Sequence, residues 1–247
     1  MKIDLHTHIL PWVDDGAPTK EEALIMIEAL AMQEIKVAVC TPHFDPTSTS
    51  MEEFIEKRDL AMSKMLFSKI KLIAGSETLL HEYLFHYSDL SSLCIGSSRY
   101  ILLELQDNNR WDRKTEKYIN KIIHYYNLNP IIAHIERYPA MMKGKILKRL
   151  KDMGCLFQVN TYAIINKKTK KRVIKYMKAG VIDLLGSDCH NMSTRPPIIT
   201  SALEIISKEI GSEFMDRLDN NAECIIKGVM NERIDNLYPK TSEYRQE

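Results

Sequence analysis

The sequence predicts an α/β protein whose parallel sheet closes into a seven-stranded barrel with helices around it. Seven short apolar runs recur along the chain, separated mostly by stretches with helical spacing. The length of 247 residues fits one barrel-sized domain as well as two small ones, but no low-complexity linker divides the chain. A single domain over residues 1–247 is therefore expected, and at this length a closed barrel is favoured over an open sheet.

The first run, Ile3 to His8, alternates apolar and polar residues, so His6 and His8 point to one side of a strand. The turn Asp14-Asp15-Gly16 follows. Thr19-Lys20-Glu21-Glu22 reads as a capping box, and Ala23, Met26, Ile27, Leu30 and Ala31 recur at helical spacing. Val37 to Cys40 is the second strand and leads into Thr41-Pro42-His43. Ser50-Met51-Glu52-Glu53 is a second capping box, opening a helix through about Lys64. Ile70 to Ala74 is the third strand, ending in Gly75-Ser76-Glu77. A helical or looping stretch with His81 and His86 leads to Tyr100–Leu103, which ends in Glu104. A helix near Lys114 to Tyr126 precedes the strand Pro130 to Ala133, which ends in His134. A helix over Ile146 to Met153 precedes Cys155 to Val159, which ends in Asn160. A helix over Lys168 to Lys178 precedes Val181 to Leu185, which ends in Gly186-Ser187-Asp188-Cys189-His190. The tail from about Ile199 holds two or three helices and a polar end, Thr241 to Glu247, expected to fray.

Composition narrows the class. With 34 basic and 33 acidic residues the net charge is +1, which gives no footprint for nucleic acid or an anionic membrane surface. The apolar runs are too short to span a bilayer, so no stable membrane insertion is expected. No charged segment followed by an apolar one precedes the first strand, so no signal peptide is expected. The five cysteines are odd in number and form no CxxC pair, which predicts a reduced, cytoplasmic protein without disulfides. Cys40 and Cys155 sit inside apolar runs and read as core residues.

The strand ends carry the chemistry. Six of the seven runs end in a residue able to bind a metal: His6/His8, His43, Glu77, Glu104, His134 and Asp188/His190. In a parallel barrel all these ends open on one face, and Asp15 lies in the first loop of that face. Taken alone, Glu77 or Glu104 reads as a solvated loop carboxylate and the His6/His8 pair as incidental. Recurrence at strand after strand favours a site of five histidines and four carboxylates, enough for roughly two or three divalent ions if carboxylates bridge. His81, His86 and His124 fall elsewhere and have no assigned chemistry. Such a centre lowers the pKa of bound water to roughly 7 and clamps the oxygens of a phosphoryl group. Arg137 and Arg195 follow the presumed ligands closely. Each could be an ordinary surface arginine, but beside a metal cluster their guanidinium forks favour an anionic, phosphorylated substrate.

These motifs resemble the polymerase-and-histidinol-phosphatase (PHP) superfamily, and within it the bacterial capsule and exopolysaccharide protein-tyrosine phosphatases. The resemblance rests on Asp4-Leu5-His6-Thr7-His8, Asp14-Asp15-Gly16, Thr41-Pro42-His43, Gly75-Ser76-Glu77, Leu103-Glu104, Ala133-His134-Ile135-Glu136-Arg137-Tyr138, Gln158-Val159-Asn160 and Ser187-Asp188-Cys189-His190-Asn191. It runs to about Pro197, with an echo at Asn220-Asn221-Ala222. It implies a distorted seven-stranded (β/α)7 TIM-like barrel, the PHP fold, with three divalent metal ions, usually manganese, although iron, magnesium or zinc can occupy such sites. By resemblance, His6, His8, Glu77 and Asp188 hold one ion. Glu77, Glu104 and His134 hold a second, and Asp15, His43 and His190 the third. Arg137 and Arg195 match the family's phosphate-contacting arginines. The implied substrate is phosphotyrosine on protein, in the tail of a cognate bacterial tyrosine kinase that regulates polysaccharide export.

The expected mechanism is attack on phosphorus by a metal-bridging hydroxide, without a phospho-enzyme. Cys189 lacks the Gly-rich setting of cysteine-dependent phosphatases. Asp14 reads as a turn cap, with proton donation to the leaving tyrosinate as the less favoured role. The alternatives are a histidinol-phosphate or other small-molecule phosphatase of the same superfamily, a non-catalytic metal-bound regulatory module, and a metal-dependent amidohydrolase, which the two arginines disfavour. The loops Phe44–Ser50 and Gln106–Arg113 carry no pattern that fixes the substrate.

Overall fold

The runs rich in β-branched residues and leucine become parallel strands, and a computed structural model describes residues 2–66, 68–106, 113–138 and 144–227 of the chain. The strands are β1 (Ile3–Thr7), β2 (Val37–Cys40), β3 (His43–Phe44), β4 (Lys71–Ala74), β5 (Glu77–Leu79), β6 (Tyr100–Glu104), β7 (Asn129–Ile132), β8 (Leu156–Asn160) and β9 (Leu184–Gly186). They form two hydrogen-bonded sets, β1-β2-β4 and β3-β5-β6-β7-β8-β9. The end of β1 meets the chain beyond β9 through a parallel bridge between Thr7 and Cys189, with Asp188 N donating to His6 O (2.8 Å) and His8 N to Cys189 O (2.9 Å). The result is a curled parallel sheet, a half-barrel.

Seven uninterrupted runs were expected, and nine segments are observed among the described residues. Two strands break and restart. Thr41 N gives the last ladder bond, to Thr7 O (2.8 Å), and Pro42 has no N–H to continue it, so β2 stops before β3 begins. Gly75 donates to Cys40 O (2.9 Å), and a Cβ there would meet Val39 Cγ1 at 3.2 Å, so the chain steps inward before β5. His43 and Glu77 therefore lie in second segments, directly paired across β3 and β5. Val181 to Asp183 lies outside β9, which starts at Leu184 because the Asp183 carboxylate turns to Lys151 Nζ and Phe157 N. The polar end Thr241–Glu247, and most of the loop Gln106–Arg113, lie outside the described residues.

The helices are α1 (Lys20–Met32), α2 (Met51–Lys64), α3 (Arg113–His124), α4 (Gly144–Asp152), α5 (Thr161–Ile165), α6 (Lys170–Lys178), α7 (Thr200–Glu209) and α8 (Ser212–Ile226). Of these, α5 was not legible in the sequence. The Ser50 box is reciprocal: Glu53 N donates to Ser50 Oγ (3.2 Å) and Ser50 N to Glu53 Oε2 (3.3 Å). At α1, Glu22 N donates to Thr19 Oγ1 (3.2 Å), but the Glu22 carboxylate instead accepts from Met192 N (2.8 Å) and tethers the loop after His190.

Neighbouring residues of one strand enter two different apolar clusters: Tyr100 and Leu102 join one, Ile101 and Leu103 the other. Strands buried on both faces are what near-continuous apolar runs encode. Ala222 and Ile225 of α8 complete the smaller cluster. No helix among the described residues is long and apolar enough to cross a membrane.

Candidate metal centre

Strand alternation puts His6 and His8 on one side of β1, and their Nε2 atoms lie 3.0 Å apart. Glu77 Oε2 stands 3.0 Å from His6 Nε2 and 3.2 Å from His8 Nε2, and Asp188 Oδ1 stands 3.5 and 3.4 Å from the same two atoms. Four ligand atoms from three chain segments thus surround one point. Beside it, His43 Nδ1 lies 3.2 Å from Glu77 Oε2 and 3.7 Å from Glu104 Oε2. His134 Nε2 lies 2.5 Å from Glu77 Oε1 and 3.6 Å from Glu104 Oε1. On the other side, Asp15 Oδ1 is 3.4 Å from His190 Nε2 and 3.6 Å from His43 Nε2. All nine side chains meet in one cluster. The grouping differs from expectation: the compact group around Glu77 and Glu104 contains His43, with His134 reaching the same two carboxylates from beside it, and His8 belongs to two groups.

Three of the outer ring nitrogens are held by oxygens, which turns the inner ones toward the centre. His8 Nδ1 is 2.6 Å from Asp14 Oδ2, His6 Nδ1 is 3.3 Å from Gln158 Oε1, and His190 Nδ1 is 3.0 Å from Asp188 O. Gln158 Oε1 also accepts from His134 N (2.7 Å), and Asn160 Nδ2 donates to Asp188 Oδ2 (2.6 Å). His134 and Asp188 have φ of 31° and 54°, a left-handed conformation unusual outside glycine and held here by these bonds. Two glycines permit the packing. A Cβ on Gly186 would lie 2.4 Å from His6 Cβ, and one on Gly16 would lie 2.1 Å from His8 O.

The charges are unbalanced. Burial opposes charge on His6 and His8, yet the facing carboxylates outweigh it and push both upward. Burial likewise works to raise Glu77 and Asp188, but the His6 imidazole facing them, with its neighbours, holds both well below the carboxylate range. Burial, reinforced by His8 and Arg195, lowers His190 to about 4, and burial with the Glu77 charge lifts Glu104 to about 7. Asp188 Oδ1 and His190 Nε2 have no hydrogen-bond partner, although both are buried. Buried nitrogen and carboxylate atoms converging without enough protons between them fit divalent cations.

Arg137 and Arg195 both reach this cluster. The Arg137 guanidinium pairs with Asp188 Oδ2, and Arg195 Nη2 lies 2.8 Å from the same oxygen. Their side chains remain 43% and 34% exposed, so both border the mouth. Asn191 Oδ1 shapes the loop that carries Arg195, accepting from the backbone N of Ser193 (3.0 Å), Thr194 (2.7 Å) and Arg195 (3.2 Å).

The sequence reading gave no supporting role to Gln158, Asn160 or Gly186. Gln158 and Asn160 sit two apart on β8, the alternation that marked His6 and His8. Nothing local marks Gly186. Asp14 does cap the turn, accepting from Gly16 N (3.0 Å), and it also grips His8.

Fold and centre together define a parallel α/β protein with a candidate divalent-metal cluster at the C-terminal rim of its sheet. The chain belongs to the capsular polysaccharide synthesis family CpsB/CapC, whose pattern it matches over residues 2–227. It is 30% identical over 250 residues to the tyrosine-protein phosphatase CpsB of Streptococcus pneumoniae, covering 91% of this chain and 98% of that protein. It is 28% identical over 240 residues to the CpsB phosphatase of Streptococcus agalactiae serotype V, with the same coverage of each. In structure it superposes on the crystal structures of YwqE from Bacillus subtilis and CpsB from Streptococcus pneumoniae, described as unique metal-dependent tyrosine phosphatases. That match has a TM-score of 0.81 at 24% identity and covers 92% of this chain and 95% of the other, which speaks for the fold.

Proposed function

We propose that this chain is a metal-dependent phosphatase that hydrolyses phosphotyrosine on protein, acting on the tail of a bacterial tyrosine kinase in capsule or exopolysaccharide synthesis. The carrying observation is the convergence of Glu77 Oε2 and Asp188 Oδ1 on His6 and His8 Nε2, with two arginines on the far oxygen of Asp188. The names of the relatives support the same reaction. In this reading the nine segments count as seven strands of a distorted (β/α)7 barrel, with residues 1–247 one cytoplasmic domain.

Three divalent ions, manganese by preference, would be held by His6, His8, Glu77 and Asp188, by Glu77, Glu104 and His134, and by Asp15, His43 and His190. When bound, they supply a water of lowered pKa and charge compensation for phosphoryl oxygens. The chain's own part is orientation and charge. Asp188 spends one guanidinium N–H of each arginine, and the remaining N–H groups of Arg137 and Arg195 bind the phosphoryl oxygens and stabilise charge as the bond to tyrosine breaks. Asn160 holds Asp188, the shared partner of those arginines, before substrate arrives, and Gln158 Nε2 in turn donates to Asn160 Oδ1 (2.9 Å). No thiolate competes as nucleophile: Cys40, Cys94, Cys155 and Cys189 are buried, and burial pushes each thiol upward.

The test is a side-by-side assay with and without manganese on a phosphotyrosine peptide and on histidinol phosphate. Manganese-dependent hydrolysis favouring the peptide is expected. Preference for histidinol phosphate would move the chain to that branch of the superfamily, and bound metal with no phosphoester hydrolysis would leave a regulatory module.

A further inference from the structure

We infer that Asp14 is a positioning residue that couples two ion positions of the centre, beyond its role in the turn; this rests on the metal reading above. Three chain segments meet on its carboxylate. Oδ2 lies 2.6 Å from His8 Nδ1 and accepts from His43 N at 2.9 Å, while Oδ1 accepts from Gly16 N at 3.0 Å. The side chain is 6% exposed, so water does not substitute for these partners. A turn cap needs only the Gly16 bond. The other two reach the two histidines shared between ligand groups. His8 belongs to the group with His6, Glu77 and Asp188 and to the group with Asp15, His43 and His190. His43 belongs to that second group and to the one with Glu77 and Glu104.

One carboxylate thus fixes the ring orientation of the first shared ligand and the backbone of the second. It precedes Asp15, a third ligand candidate, by one peptide bond. His8 and His43 rings lie 4.5 Å apart, so a rotation of either would disturb both groups. With Nδ1–H of His8 committed to Asp14, Nε2 is left as the lone-pair donor toward the centre. An amide in place of the carboxylate keeps the shape and an acceptor for Gly16, but removes the anion that holds the imidazole.

The test measures metal affinity, not turnover. Manganese is titrated into chelator-treated wild type, Asp14→Asn and Asp14→Glu by calorimetry, with Tm recorded for the metal-free and loaded forms. Asp14→Asn is expected to bind manganese about 10–100-fold more weakly. Its metal-free Tm should fall by less than its metal-loaded Tm, so that the metal-induced rise shrinks. Asp14→Glu keeps the anion and is expected to recover part of the affinity. Equal affinity in wild type and Asp14→Asn overturns the inference, as does an Asp14→Glu no better than Asp14→Asn. So does an Asp14→Asn deficit in Tm that is as large without metal as with it. Wild type that binds no manganese overturns the metal reading and this inference together.

Discussion

At Gly186 the chain passes so close to His6 that even a methyl group does not fit: a Cβ would also lie 3.0 Å from Gln158 Nε2. His6 Cβ is fixed by its backbone and Gln158 Nε2 is held by its bond to Asn160 Oδ1 (2.9 Å), so neither can swing away freely. Gly186→Ala is expected to cost about 1–3 kcal/mol through overpacking and to weaken manganese binding as His6 shifts. Urea unfolding with and without metal reads both effects, and an unchanged midpoint in each condition would refute the argument. The thiols give a second prediction at this scale. Burial lifts Cys94 and Cys155 to about 12, and Cys189 well above its usual range. A thiol whose pKa is raised stays protonated below that value, so at pH 8 these groups are not nucleophiles. Iodoacetamide at pH 8 should label native protein at no more than Cys224, the one thiol that is not buried, and leave phosphatase activity intact. Labelling at Cys189 with loss of turnover and unchanged metal content would argue for a thiolate mechanism.

At the scale of elements, the two capping sequences do different work. The reciprocal Ser50–Glu53 box belongs to α2 alone, and Ser50→Ala is expected to lower stability by about 1 kcal/mol. Glu22 of α1 gives its carboxylate to Met192 N, in the loop between His190 and Arg195. Glu22→Ala should therefore loosen Arg195 and raise KM for a phosphotyrosine peptide while the unfolding midpoint moves little. A variant with unchanged KM would mean that the Asn191 turn holds the loop unaided. The strand breaks belong to the same scale. Where the chain restarts after Pro42 and after Ser76, His43 and Glu77 come into register, which brings two ligand candidates face to face.

At the scale of the molecule, curling of the sheet gathers side chains from His6 to His190 at one rim. The like charges of Glu77, Glu104 and Asp188 oppose that closure, and cations would relieve them. Loading with manganese at a thousandfold above its Kd should add about 4 kcal/mol, or roughly 8–16 °C in Tm for a chain of this size. The Arg137→Ala, Arg195→Ala double variant should keep this shift and lose turnover, since in the proposed function the guanidinium groups it removes act on the phosphoryl group and not on the cations. A double variant that loses the shift would make the arginines part of the metal site.

Much of this was legible from sequence for a simple reason. Alternation in strands and the shared direction of parallel strands place certain residues at one rim whatever the details of packing, so His6, His8, Glu104, His134, Asp188 and His190 could be read before any coordinate. The helices α1 and α2 were legible from their caps and periodicity. Other features depend on contacts between distant segments that no local pattern records. The interruption of β2 and β4, the late start of β9 and the extra turn α5 are tertiary decisions about where hydrogen bonds go. So are the sharing of His8 and His43 between ligand groups, the grip of Asp14 on both, and the closeness of Gly186 to His6. The sequence names the candidate ligand residues, but only the closed chain sets the distances among them, because those distances come from hydrogen bonds and close packing between residues far apart along the backbone.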